Sequence, residues 1–110
     1  MNAIDLTLNH HSRASACTRC MLACAYCLDQ SIGLANMDAC IRACRDCMLI
    51  CADCARACAT ESKNGLALCA SCAAICEACM EECSRHDLDH CRQCAEACAE
   101  CMQECRRLAA

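Results

Sequence analysis

The chain is 110 residues long, carries a formal charge of −4 and is 58% hydrophobic, yet it has a single Tyr, no Phe or Trp and no Pro. That length allows one domain. Scattered Lys and Arg without an aromatic stacking platform exclude a typical nucleic-acid binder. No apolar run approaches the length of a transmembrane helix.

What fills the core is the first question. Leu and Ile together make 15 residues, Val is absent, and the chain instead has 20 Cys and 22 Ala. Cysteine therefore has to serve as the small hydrophobe of the interior. Abundant Ala without Pro predicts helix throughout and argues against disorder.

Residues 1–12 read as a short polar lead-in, and 13–110 as the folded domain. The opening MNAIDLTLNHHSRAS carries Asp5, Asn9 and His10 where a secretory signal needs an unbroken apolar stretch. No twin-Arg pair precedes the first cysteines. The chain is thus expected in the cytoplasm, where a reducing environment favours metal-bound thiols over disulfides. His10 and His11 are expected at the surface.

Ser12 is a candidate N-cap for a first helix from Arg13 to about Ile32, closed by Gly33. Its cysteines are Cys17, Cys20, Cys24 and Cys27, spaced 3, 4, 3. Asn36 or Asp38 can cap the second helix, which runs to about Thr60 and carries Cys40, Cys44, Cys47, Cys51, Cys54 and Cys58. After a turn at Lys63-Asn64-Gly65, a third helix from Leu66 to about Arg85 carries Cys69, Cys72, Cys76, Cys79 and Cys83. Asp87 is a candidate N-cap for the fourth helix, which runs to about Leu108 with Cys91, Cys94, Cys98, Cys101 and Cys105. Alternating steps of three and four mark the a/d seam of a heptad, so on each helix all the sulfurs share one face. A finer unit recurs once per helix: CxxC followed by Met, at Met21, Met48, Met80 and Met102. These Met fall at position e, beside the seam.

Four amphipathic helices of about 20 residues joined by short turns predict an all-α, antiparallel up-down-up-down four-helix bundle with a cysteine-lined core. Packing alone does not account for all 20 cysteines lying at seam positions from which Leu is displaced. A disulfide framework conflicts with the regular helical pattern and with the many equivalent partners that a heptad ladder offers. An iron–sulfur cluster is wrapped by loops, and its bacterial CxxC run ends in Cys-Pro, which is absent here. Zinc in tetrathiolate sites leaves two negative charges per site in the core, a costly burial. Cu(I) suits soft thiolates, accepts two of them in a near-linear arrangement, and keeps a filled core neutral if each thiolate bridges two ions. One such site would make a chaperone. Twenty thiols make a store.

Met21, Met48, Met80 and Met102 are either thioether ligands or packing residues. His86 lies three residues past Cys83 on the seam of the third helix, and His90 precedes Cys91. Beside Asp87 and Asp89, the pair is either solvated surface or the place where copper is admitted. Leu66, Leu68 and Leu108 would plug the opposite end, while Ser31 keeps the histidine end polar.

From Cys17 to Cys105 the chain resembles the cytosolic branch of the bacterial cysteine-rich four-helix-bundle copper storage proteins. The strongest likeness is LCASCAAICEACMEECSRHDLDHCRQCAEACAECMQECRRLAA, with its His-x-x-x-His turn before CxxC. The resemblance implies multinuclear Cu(I)–thiolate storage, a homotetramer, and histidines near the opening. No nucleophile–base pair stands apart from the ladder, so the expectation is a metal store and not an enzyme. A redox or thiol-handling protein remains the competing class.

Overall fold

The computed structural model describes residues 12–107. These form four helices: α1 (Ser12–Ser31), α2 (Asp38–Ala59), α3 (Gly65–Cys83) and α4 (Asp89–Arg107). Each is about 30 Å long at 1.5 Å per residue. Straight-chain and Ala positions dominate them, and no Pro interrupts the backbone ladder.

The turns are made by particular residues. Gly33, at φ 88°, ends α1 in the left-handed region where a Cβ would be strained. Asn36, at φ 63°, makes the second left-handed step before α2. The end of α2 is a Schellman closure: the Ser62 N–H donates to Ala57 O at 2.9 Å and the Glu61 N–H to Cys58 O at 3.3 Å. Glu61, at φ 53°, occupies the position usually held by Gly.

The expected side-chain caps are not used. Met37, not Asn36, occupies the N-cap position of α2, with no side-chain cap hydrogen bond, and Asp38 is the first helical residue. The Ser12 hydroxyl donates to Glu104 Oε2 on α4 at 2.8 Å. The Asp87 carboxylate pairs with the Arg92 guanidinium. α3 ends at Cys83 and not Arg85, because the Arg85 and His86 N–H groups turn to the carbonyls three residues back.

Sulfur contacts define the topology. Cys27 meets Cys40 and Cys20 meets Cys47, so α1 and α2 run antiparallel. Cys40 meets Cys83 and Cys54 meets Cys69, so α2 and α3 do too. Cys17–Cys105 and Cys27–Cys91 close the ring between α1 and α4. The diagonal pair α2 and α4 runs parallel, with Cys44 on Cys94 and Cys54 on Cys105. This is the up-down-up-down bundle expected from the spacing.

The core is sulfur. Every cysteine is fully buried except Cys58, which is 5% exposed, and Ala14, Ala16, Ser31, Met37, Ala57, Gly65 and Ala73 complete the buried set among the described residues. Small side chains at the flanks let the helices approach closely. Outside, Arg19 pairs with Glu100 and Arg106 with Glu77, linking neighbouring helices. Such half-exposed pairs contribute about 0–1 kcal/mol each. The bundle rests on its buried face.

The two glycines separate backbone conformation from packing, because a Cβ on either would meet nothing within 4 Å. Gly33→Ala is expected to destabilise the reduced, metal-free protein by about 1 kcal/mol, the left-handed penalty alone. Gly65→Ala, at the start of α3, is expected to be neutral or to stabilise by up to about 0.5 kcal/mol. Urea unfolding followed by circular dichroism compares them, and equal losses would contradict the assignment.

Candidate metal centre

The seam spacing places the sulfurs in layers, and the layers connect. Starting at the His86–His90 end, Cys27 lies 3.9 Å from Cys40, which lies 3.8 Å from Cys83. The path continues through Cys44, Cys94 and Cys24 at 3.9, 3.8 and 3.6 Å. In the middle, Cys47 touches Cys20, Cys76 and Cys98 at 3.8, 3.6 and 3.8 Å. Beyond it, Cys51, Cys72, Cys101 and Cys17 follow at 3.8, 3.8 and 3.5 Å. The path ends at Cys105, Cys54, Cys69 and Cys58, where the Cys54–Cys69 separation of 3.3 Å is the shortest. Cys79 and Cys91 join through Cys44 and Cys27. All 20 are free thiols, and their separations are far above the ~2.05 Å of a disulfide.

Sets of four sulfurs lie within 4.8 Å of one another. They include Cys17/Cys72/Cys101/Cys105, Cys20/Cys24/Cys47/Cys98, Cys20/Cys51/Cys76/Cys101, Cys24/Cys79/Cys94/Cys98 and Cys27/Cys40/Cys44/Cys83. A tetrathiolate zinc site, with Zn–S of about 2.3 Å, needs sulfurs about 3.8 Å apart. Distance alone therefore admits zinc. Sharing separates isolated from bridged sites: Cys20, Cys24, Cys98 and Cys101 each belong to two of these sets, so the five sets cannot all be filled by isolated ions at once. Isolated sites need exclusive ligands, whereas bridged Cu(I)–thiolate clusters need shared ones.

Burial and sulfur–sulfur hydrogen bonds together govern the protons. Desolvation, the leading effect at Cys40, Cys69 and Cys91, pushes these thiols above the ordinary range. Cys27 is the exception at the histidine end, lowered to about 7 by hydrogen bonds from Cys44 and Cys83. Hydrogen bonds from neighbouring sulfurs also lower Cys20, Cys79, Cys94 and Cys105, so the metal-free core mixes raised and lowered thiols, with the raised ones in the majority.

The two histidines frame one end. His90 Nε2 lies 3.2 Å from the hydroxyl of Ser31, which is fully buried at the end of α1. His86 Nε2 lies 2.9 Å from Glu82 Oε2, and this ring is 20% exposed. Each imidazole thus has one nitrogen held by the protein, which orients the ring.

The family model described as "Csp: Copper storage protein" matches residues 7–110. The chain belongs to this family. An uncharacterised cysteine-rich protein of Bacillus subtilis is 46% identical over 79 residues, covering 68% of this chain and 72% of its own length. The Cu(I)-bound copper storage protein BsCsp3 superposes with a TM-score of 0.84 at 42% identity, over 90% of this chain and 96% of that one. A cytosolic copper storage protein from Streptomyces lividans, described with five coppers, gives a TM-score of 0.85 at 33% identity and 96% coverage of both chains.

In this copper storage protein Met21, Met48, Met80 and Met102 are half-buried and pack against the cysteine core. Met37 also belongs to the core, which the cysteine pattern does not signal. It is 3% exposed and sits three residues before Cys40, so it continues the α2 seam. At the histidine end the four seams thus run out through Ser31, Met37, His86 and Leu88.

The opposite end departs from expectation. Leu66 is 60% exposed and cannot plug the bundle. Leu68 is half-buried, and Leu108, like His10 and His11, lies outside the described residues. In place of a plug, Arg13 reaches inward and its Nη1 donates to Cys69 Sγ at 3.6 Å.

Because thiols pack as small hydrophobes and most of those in the core are raised, the reduced, metal-free bundle is expected to be helical and compact, unlike a zinc finger. Far-UV circular dichroism measures this. A random-coil spectrum that becomes helical only with copper would contradict it.

Proposed function

We propose that this chain stores and sequesters many Cu(I) ions on the thiolates that line its core, with residues 13–110 as the storage domain and all 20 seam cysteines as ligands. The observation that carries the reading is the unbroken sulfur path from Cys27 to Cys58, with members shared between neighbouring sets. A chelating site ends at its fourth ligand. A shared ladder has no such end, so capacity scales with the number of cysteines.

Binding, not catalysis, is the role read here. Each thiol that gives up its proton to Cu(I) changes the core charge by nothing, since one positive charge leaves and one arrives. The helices therefore need not rearrange as the store fills. By likeness to the Streptomyces lividans protein the location is cytoplasmic. No helix among the described residues is long and apolar enough to cross a membrane. Leu22, Tyr26 and Leu49 are more than half exposed on α1 and α2, which supports a homo-oligomer, a tetramer on the family resemblance.

Anaerobic titration of reduced protein with Cu(I) is expected to reach on the order of one ion per cysteine, hence up to about 20 per chain. Replacing seam cysteines by Ala should lower capacity in steps and leave the helical spectrum unchanged. Saturation near about five ions would instead indicate isolated sites.

His86 and His90 are proposed to admit copper. An incoming Cu(I) meets an imidazole or the Cys27 thiol, then moves inward by ligand exchange. His86→Ala combined with His90→Ala is expected to slow loading while removing at most about two ions from the total. Stopped-flow loading decides this, and unchanged rates would place admission elsewhere.

A further inference from the structure

The end of the bundle opposite His86 and His90 carries a cleft of about 340 Å³, lined by Arg13, Ala57, Cys58, Glu61, Ser62, Gly65 and Leu66. Its position follows from the heptad. Stepping outward from the last cysteine of three of the four ladders, four residues before Cys17 is Arg13, three after Cys58 is Glu61, and four before Cys69 is Gly65. These seam positions all line the cleft, so the axis of the sulfur core runs directly into it. Gly65 has no side chain to close the path, and a Cβ there would meet nothing within 4 Å. Leu66, the expected plug, stands outward on the rim. Cys58 is the one cysteine with any exposure. It lies 3.5 Å from Cys69 and 3.9 Å from Cys54, already inside the continuous path.

We propose that this cleft is a second portal to the core, at which Cys58 exchanges Cu(I) with a small thiol carrying a carboxylate, and that Arg13 is the residue that receives the carboxylate. The inference rests on the Cu(I)-storage reading above. Arg13 is the half-buried cation of the lining, and its guanidinium has five donors in a planar fork suited to a carboxylate. Only one contact of that fork to the core is needed to hold the side chain in place, and the Nη1 donation to Cys69 supplies it. Glu61 lies at the exposed rim with an interaction of its own. The volume of the cleft admits a ligand of amino-acid size.

The exchange is balanced without an oxidant or reductant. The Cys58 sulfur attacks Cu(I) on the carrier, the copper–carrier sulfur bond breaks, and the Cys58 proton ends on the departing carrier thiolate. Copper stays Cu(I). Cys69, which already touches Cys58, Cys54 and Arg13, takes the ion next and gives its proton to Cys58 as the Cys58–copper bond breaks, so Cys58 is freed as a thiol for another round. The portal differs from the histidine end in its recognition element: a fixed guanidinium here, imidazoles there.

The test compares loading of the full chain, reduced and anaerobic, from Cu(I)–mercaptosuccinate, whose thiol bears carboxylates, and from Cu(I)–2-mercaptoethanol, whose thiol is neutral. Total copper is counted at the end of every run. With His86→Ala and His90→Ala as the background, Arg13→Gln is expected to slow loading from mercaptosuccinate about tenfold and from mercaptoethanol less than about twofold, the scale of electrostatic steering into a cleft. Arg13→Lys should restore most of the lost rate. Cys58→Ser should slow loading from both carriers while capacity falls by no more than about two ions. Equal effects of Arg13→Gln on the two carriers, or a Cys58→Ser rate equal to that of its background, would overturn the portal. A collapse of total copper in the parent chain would instead overturn the storage reading, so the two failures are distinguishable.

Discussion

The structure depends on one constraint: 20 sulfurs are buried 3.3–4.0 Å from their neighbours inside a core that excludes water. Thiolates so close together cannot all be charged without partners, because neither water nor a counter-ion is beside them. The core is tolerable in two compositions only. One has a proton on each sulfur, and the other has a monovalent metal in place of each proton. A divalent ion on four exclusive thiolates would leave charge behind at every site. A preference for Cu(I) over a divalent ion would in this sense come from the dielectric as much as from sulfur softness.

The rest of the fold serves that constraint. Small flanking residues such as Ala14, Ala16, Ala57 and Ala73 are buried beside the ladder, where larger ones would push the helices apart and break the sulfur contacts. Met21, Met48, Met80 and Met102 cover the seam from outside and supply the apolar area that cysteine lacks. Charge is kept to the surface, in pairs such as Arg106–Glu77 and Arg107–Glu104. The ends are where the constraint relaxes, and there the seam positions pass from sulfur to Ser31, Met37, His86 and Leu88 on one side and to Arg13, Glu61 and Gly65 on the other.

The ladder was readable before the structure because a step of three or four residues has one geometric meaning on a helix. All 20 cysteines were placed in the core on that basis, and the Ser31 and His90 neighbourhood followed from the up-down topology. The ends were less readable. Met37 obeys the same spacing as Cys40 and Cys44, but a seam followed through cysteine alone does not include it. The hydrophobicity of Leu66 suggests a plug, whereas its direction is set by the α2 closure at Glu61 and Ser62, which fixes how α3 begins. Ser12 and Asp87 stand where local pattern expects caps. Their side chains instead meet Glu104 and Arg92, long-range or cross-turn partners that local pattern does not reveal.

The central claim is that each thiolate is shared, so that a proton leaves the core for every Cu(I) that arrives and the core stays neutral throughout filling. Potentiometric counting of protons released during anaerobic Cu(I) addition from a carrier with no titratable proton of its own at the working pH tests this directly. The account predicts about one proton per copper, constant from the first ions to the last. A ratio of about two or more protons per copper, ending well short of the cysteine count, would show exclusive thiolate sites and contradict it.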